Sequence, residues 1–264
     1  MRPLRLGFVA AAFAAASAVA GAAEPLPSFE LHATGSLPLQ YIQTTTSASR
    51  QSGVTGAPFG MLSATANLSS DWSTSVFAGG GHDPPGLFRD NNSTYASYGS
   101  NIVKRWGAFL TGASLEHTIY YTGSFATTSM IANDANLFAR ANYNPNPDLQ
   151  ITPMLVGTTR FDDAITAQRY SLGASFDIQQ RLIGNWWFIT MPRIRYSAYV
   201  NDQSGRRDLS LSAVAGLRYR FNDNVSFRAV AGVEHLESNV ATLSHDRLVA
   251  GASLDFDFDL MRWR

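Results

Sequence analysis

The sequence predicts an all-β fold, a transmembrane antiparallel up-and-down β-barrel of about twelve strands. Three observations predict it. Apolar and polar residues alternate with a period of two along nearly the whole chain beyond residue 23. The segments that connect these alternating runs switch regularly between long and short. The runs themselves, at roughly 10–15 residues, exceed the usual soluble strand length of about 5–6.

The N-terminus comes first in the chain and differs from the rest. Met1-Arg2-Pro3-Leu4-Arg5 is basic, and Leu6 to Ala20 is apolar and Ala-rich. Ala20-Gly21-Ala22-Ala23 then precede Glu24-Pro25. A basic stretch, a short apolar core and a small-residue cleavage site make a secretory signal peptide over 1–23, leaving 24–264 as one barrel domain. The apolar core falls short of the roughly 20 residues that span a bilayer as a helix. With Arg2 and Arg5 removed, 18 basic residues face 20 acidic ones, so nothing in the charge invites nucleic acid. The chain has no cysteine, so an exported fold here relies on its own hydrogen-bonded framework. A mean hydropathy of −0.08 fits strands with one lipid-facing and one water-facing side.

Strands are expected near 28–43, 58–68, 72–82, 93–104, 107–121, 135–144, 149–161, 167–180, 186–200, 207–221, 225–236 and 246–262. Two hairpins set their own registers. Leu209, Leu211, Ala213, Ala215, Leu217, Tyr219 and Phe221 form one apolar beat, and Val225, Phe227, Ala229, Ala231 and Val233 another. A turn at 222–224 pairs Phe221 with Val225 and Leu217 with Ala229, so both apolar faces coincide. Likewise Leu62, Ala64, Ala66 and Leu68 meet Trp72, Thr74, Val76 and Ala78 when Leu68 pairs with Trp72.

Long connections are expected near 44–57, 83–92, 122–134, 162–166, 201–206 and 237–245, and short ones near 69–71, 105–106, 145–148, 181–185 and 222–224. Short turns belong to the periplasmic side of such barrels and long loops to the outside, which leaves both termini periplasmic for an even strand count. Closure is required, because an open edge in lipid leaves backbone groups unpaired. Trp72, Trp106, Trp186 and Trp187 lie beside short turns and Tyr120 and Tyr121 at the other strand end, an arrangement that suits aromatic girdles.

With these features together, residues 24–264 resemble the bacterial outer-membrane β-barrel (porin-like) superfamily, by architecture rather than by a family-specific motif. The resemblance implies outer-membrane localisation, insertion by the outer-membrane assembly machinery, contact with outer-membrane lipids and lipopolysaccharide, and a monomeric unit. The C-terminal insertion signal of such barrels is an alternating strand ending in an aromatic residue. Here Leu254, Phe256, Phe258 and Leu260 keep the beat, but Trp263 is penultimate and out of phase with Phe258.

Assigning the apolar beat to lipid puts a charged set in the lumen. The candidate network is Arg218, Arg220, Arg228, Asp255, Asp257, Asp259, Arg193, Arg195, Asp177 and Glu116, with Arg140, Arg160, Arg169, Arg181, Asp208, Glu234 and Arg247 on the same face. Lysine occurs once, at Lys104, so arginine supplies the positive charge, and its fork suits carboxylates. The 222–224 hairpin sets Arg218 opposite Arg228, an unfavourable like-charge pair, and the column Asp255, Asp257, Asp259 is the expected counterion set. Such a network either braces the wall or forms a charged constriction. Inward glycines at Gly112, Gly173, Gly216, Gly232 and Gly251 are expected to make room for curvature and long neighbours.

No catalytic set, metal cluster or cofactor signature is present. His117 has Ile119 where a lipid hydrolase barrel needs Ser two residues on, and in His235-Leu236-Glu237-Ser238 the Ser falls on the other strand face. Asp162-Asp163 is expected as a solvated loop pair. The leading expectation is a small monomeric porin-like channel for small hydrophilic solutes; the alternatives are a plugged structural or surface-interaction barrel, and a lipid-modifying enzyme.

Overall fold

A computed structural model describes residues 28–83, 93–122, 127–162 and 168–263; the expected signal segment 1–23 and most of the 83–92 connection lie outside them. The strands are β1 (Ser28–Thr46), β2 (Arg50–Gly56), β3 (Phe59–Asn67), β4 (Trp72–Asp83), β5 (Ser93–Trp106), β6 (Phe109–Thr122), β7 (Thr127–Ala141), β8 (Tyr143–Asn146), β9 (Leu149–Asp162), β10 (Arg169–Ile183), β11 (Trp186–Tyr199), β12 (Arg207–Arg220), β13 (Val225–Ser238) and β14 (His245–Trp263). Each long strand pairs antiparallel with its neighbours. β9–β10 and β14–β1 complete the circuit, so twelve strands form one closed wall. The short β2 and β8 lie off this ring as attachments to β1 and β9.

Both hairpin registers hold. Leu217 faces Ala229 and Arg218 faces Arg228. The Phe221 N–H donates to the Val225 carbonyl at 3.0 Å, and the Leu68 N–H to the Trp72 carbonyl at 2.8 Å. Two-residue turns at 107–108 and 184–185 place Gly107 (φ 63°) and Gly184 (φ 54°) in the left-handed region, which such hairpin turns demand and glycine adopts without steric cost.

The short turn expected at 105–106 falls at 107–108, and two long connections differ more from expectation. The segment 44–57 is not a free loop: β1 runs on to Thr46 and β2 returns along it, with Gln43 opposite Ser52 and Tyr41 opposite Val54. The Ser, Thr and Gln residues there hide strand character, because polar residues suit a hairpin solvated on both faces. Likewise 122–134 is mostly strand. β7 begins at Thr127, earlier than the expected 135, and ends at Ala141; Asn133 and Asp134 read as turn residues but pair in register with β6 and β9.

Burial runs opposite to that of a soluble protein. On β1, Leu37 and Leu39 are 57% and 62% exposed while Ser36 between strands is 3% exposed. Leu137, Leu155 and Leu172 stand out from the wall, and Ser175, Ser197 and Ser210 are buried inside it. An apolar exterior over a hydrogen-bonded polar interior is the arrangement that hydrocarbon surroundings favour. The interior ladder includes Asn136, which donates to Ser114 Oγ at 3.1 Å and accepts from Thr158 Oγ1 at 2.7 Å, tying β6, β7 and β9.

The last strand resolves its own phase problem. Leu31 faces Met261 but His32 faces Asp259, so Leu260 is the extra residue of a β-bulge. One extra residue reverses the side-chain phase. Met261 and Trp263 therefore return to the face of Phe258, and Trp263 pairs with Phe29 on the exterior.

The aromatic girdle needs one correction. Trp72, Trp106 and Trp186 are outward and exposed, and the Lys104 ammonium lies 3.7 Å and 5.1 Å from the ring centroids of Trp106 and Trp72. Trp187 turns inward and is buried, with the Arg220 guanidinium 4.2 Å above its ring. Tyr120 also turns inward, toward Tyr95 at 6.1 Å. Neighbours on an extended strand face opposite sides, so Trp186-Trp187 and Tyr120-Tyr121 each supply one girdle residue, not two.

Candidate functional site

Period-two geometry delivers all ten candidate residues to the inner face. Their mutual contacts are more selective than the sequence suggests. Asp255 is the hub of one cluster: Ser36 Oγ donates to its Oδ1 at 2.6 Å, and Arg228 approaches both oxygens at 3.3 Å. Arg228 Nε also donates to Ser253 Oγ at 3.3 Å. This cluster ties β13, β14 and β1.

The rest of the aspartate column goes elsewhere. Asp259 accepts from His32 Nδ1 at 2.6 Å, with Glu30 on the other side of that ring at 3.4 Å. Glu30 is in turn bound by Arg262 at 3.0 Å. Asp257 has no side-chain partner among the described residues, and only its backbone N–H is engaged, by the Asn224 carbonyl at 2.8 Å. The column therefore divides along one continuous register, in which Asp255 pairs with Ser36, Asp257 with Thr34 and Asp259 with His32.

Arg218 and Arg220 find an amide instead of a carboxylate. Gln179 Oε1 accepts from Arg218 at 2.9 Å and from Arg220 at 3.4 Å, and its Nε2 donates to Asp177 at 3.3 Å. Gln179 thus relays two guanidiniums to one acid. A cavity of about 470 Å³ at this end is lined by Arg218, Arg220, Arg228, Asp255 and Asp257 with the 222–224 turn.

Arg193 and Arg195 project from β11 with exposed side chains and no carboxylate partner among the described residues; Arg193 reaches only Met191 Sδ at 3.8 Å. Glu116 sits opposite Asp134 in register and accepts weakly from Thr118 Oγ1 at 3.4 Å. That like-charge juxtaposition is relieved because Arg160 forks onto Asp134 at 2.8 and 2.5 Å. Asp134 was hidden in a segment that reads as loop, and its inward phase is visible only once β7 is known to begin at Thr127.

Toward the long-loop end, Arg206 grips Asp208 at 2.6–3.1 Å and lies 4.1 Å from the Tyr199 ring centroid; Arg247 meets Glu234 at 3.3 Å. Asp162 is buried at the end of β9 rather than solvated, and Asp163 falls outside the described residues. Beyond this, in the 200–206 turn, Ser204 donates both its hydroxyl and its N–H to Asp202, which lowers that carboxyl below its ordinary range.

Inward glycines accommodate their neighbours. A Cβ on Gly112 would meet the Phe138 ring at 2.5 Å, and one on Gly216 would meet the Ala229 carbonyl at 2.1 Å. The hydrolase geometry is not assembled from His235 and Ser238: His235 faces outward against Asp246 at 2.7 Å, while Ser238 is inward and buried. Among the described residues no three His, Asp or Glu side chains gather as metal ligands.

No protein-family model and no curated protein matches the sequence. The fold, however, is similar to that of solved outer-membrane barrels. A bacterial polysaccharide outer membrane secretin superposes with a TM-score of 0.53 at 13% identity, covering 90% of this chain and 100% of that one. The translocator domain of autotransporter NalP from Neisseria meningitidis gives 0.46 at 10% identity over 96% and 95% of the two chains. A KdgM porin in complex with disordered oligogalacturonate gives 0.44 at 11% identity over 84% and 99%. Identities this low speak for the fold alone. The chain therefore has the fold of a closed twelve-strand antiparallel β-barrel with an apolar exterior, a fold it shares with solved outer-membrane barrels.

Proposed function

We propose that the protein is a monomeric, water-filled channel that passes small hydrophilic solutes across the outer membrane. The observation that carries this reading is the state of Arg193 and Arg195. Both point inward and are exposed, and neither has a carboxylate partner among the described residues. An unpaired guanidinium in a dry interior carries a desolvation penalty of several kcal/mol, roughly, so these side chains need water around them. A plug that excluded water would have to supply their partners.

In this reading the signal at 1–23 directs export, the assembly machinery inserts the barrel, and lipid and lipopolysaccharide cover Leu37, Leu155 and Leu172. The ends that carry Ser28 and Trp263 lie beside the short turns and face the periplasm. Purified, refolded protein in a planar lipid bilayer tests the proposal. Discrete single-channel steps in potassium chloride are expected. A barrel that migrates as folded in a heat-modifiability gel and yet passes no current would contradict it.

A further inference from the structure

The inner wall is electrically lopsided. β10, β11 and β12 are consecutive in the ring, and their inward positions hold Arg169, Arg181, Arg193, Arg195, Arg218 and Arg220. The same three inner faces hold two acids, Asp177 and Asp208. Asp208 is taken by Arg206, and Asp177 is held by Gln179. Among the described residues, Arg181 alone of the six has a carboxylate within ion-pair distance, Asp148 at 3.7 Å.

Directly across the ring stand β3, β4 and β5. The inward residues of β3, and of β4 up to residue 82, are uncharged: Phe59, Met61, Ser63, Thr65 and Asn67 on one, serines, glycines and Phe77 on the other. β5 adds Tyr95, Ser97 and Asn101, with Arg105 at its turn end. Over residues 59–67, 72–82 and 94–106 this wall offers no carboxylate to the arginines that face it. The lumen acids lie to the side, and most are occupied: Asp134 by Arg160, Glu234 by Arg247, Asp255 by Arg228, Glu30 by Arg262 and Asp259 by His32. The other inward acids, Glu116, Asp162, Asp177 and Asp257, stand against the five remaining arginines and Arg140 of β7.

The arginines also form a path. Arg218 and Arg220 stand near the short-turn end, Arg193 and Arg195 at mid-strand, and Arg169 at the loop end. Gly173 and Ser175, the register partners of Arg195 and Arg193, leave the guanidiniums uncovered on one side. A solute with a carboxylate or phosphate group meets a forked donor at each level, and the neutral wall opposite neither repels nor competes for it.

We infer that the lumen selects anions, and that the solutes of this channel carry carboxylate or phosphate groups. The inference rests on the channel reading above and names the class of solute that reading leaves open. A fixed excess of one charge along a narrow water path enriches the opposite ion by roughly ten-fold or more.

The test is the reversal potential of the reconstituted barrel under a potassium chloride gradient. A chloride-over-potassium permeability ratio of at least about 3 is expected. The double variant Arg193→Gln, Arg195→Gln should bring the ratio toward 1, and Arg193→Glu, Arg195→Glu should take it below 1. Both positions are exposed and unpaired, so the barrel should still show its heat-modifiable shift. A conducting wild-type barrel with a ratio at or below 1 overturns the inference and leaves the channel standing. A folded barrel that conducts nothing overturns the channel reading and the inference with it. A ratio unchanged by both double variants removes these arginines from the selectivity.

Discussion

Asp255→Asn separates a carboxylate that braces the wall from its neighbours that do not. Asp255 accepts from Ser36 Oγ at 2.6 Å and meets Arg228 at 3.3 Å, with side-chain exposures of 21% for the acid and 36% for the arginine. Lumen water screens a pair this exposed, so the ion-pair contribution is about 1 kcal/mol. Loss of charge assistance in the two hydrogen bonds adds about another 1 kcal/mol. The variant also leaves Arg228 uncompensated opposite Arg218, a like-charge strand pair worth a few tenths to about 1 kcal/mol. The expected loss is about 2–3 kcal/mol, read as a lower urea midpoint in equilibrium unfolding of the barrel in lipid vesicles. Asp257→Asn, two residues away on the same face, has no side-chain partner to lose and should stay within about 0.5 kcal/mol of wild type. The Asp255→Asn, Arg228→Gln cycle should show coupling of at least about 0.5 kcal/mol. Equal losses at 255 and 257, or no coupling to Arg228, would refute this account of the column.

Three further outcomes follow from other parts of the wall. Gly216→Ala places a Cβ 2.1 Å from the Ala229 carbonyl oxygen and should cost more than about 2 kcal/mol, whereas Gly157→Ala meets open space and should be near neutral, both by urea unfolding in vesicles. Leu155→Arg, outward at mid-strand and 58% exposed, should cost about 2–4 kcal/mol in the same assay, because the charge enters hydrocarbon. Ser204→Ala removes a hydrogen bond that holds the Asp202 carboxyl down. NMR titration should show that group rising toward its ordinary value. Because the folded group titrates low, the order it lends the 200–206 turn is present above the ordinary carboxylate range and is lost as pH falls through the depressed value.

Period-two patterning is a strong signal wherever one face meets lipid, and there the sequence was fully legible. Leu209 to Phe221 and Val225 to Val233 could pair in only one register that kept both apolar faces together, and they pair in it. Legibility failed where neither face needs to be apolar. Arg50–Gly56 and Thr127–Asp134 are polar on both sides or rich in Asn and Asp, so pattern and turn chemistry point to loops while ladder hydrogen bonds decide for strand.

The site was legible as a face and not as a set of contacts. Phase alone puts Arg218, Arg228 and Asp255 inside. It does not reveal that Gln179 stands between the arginines and Asp177, nor that the β14–β1 register sets Asp259 opposite His32. Contacts between strands far apart in sequence depend on the register of β14 against β1, which no local turn fixes.

The most direct measurement uses the absence of native cysteine. Single cysteines at 211, 212, 213, 214 and 215 on β12, in the membrane-embedded barrel, are challenged with a charged water-soluble thiol reagent and, once spin-labelled, with a lipid-phase relaxant. Cysteines replacing Ser212 and Val214 should react from water, and those replacing Leu211, Ala213 and Ala215 should respond to the lipid probe. Uniform reactivity along the strand, or the inverse alternation, would contradict a closed wall with these apolar residues in hydrocarbon.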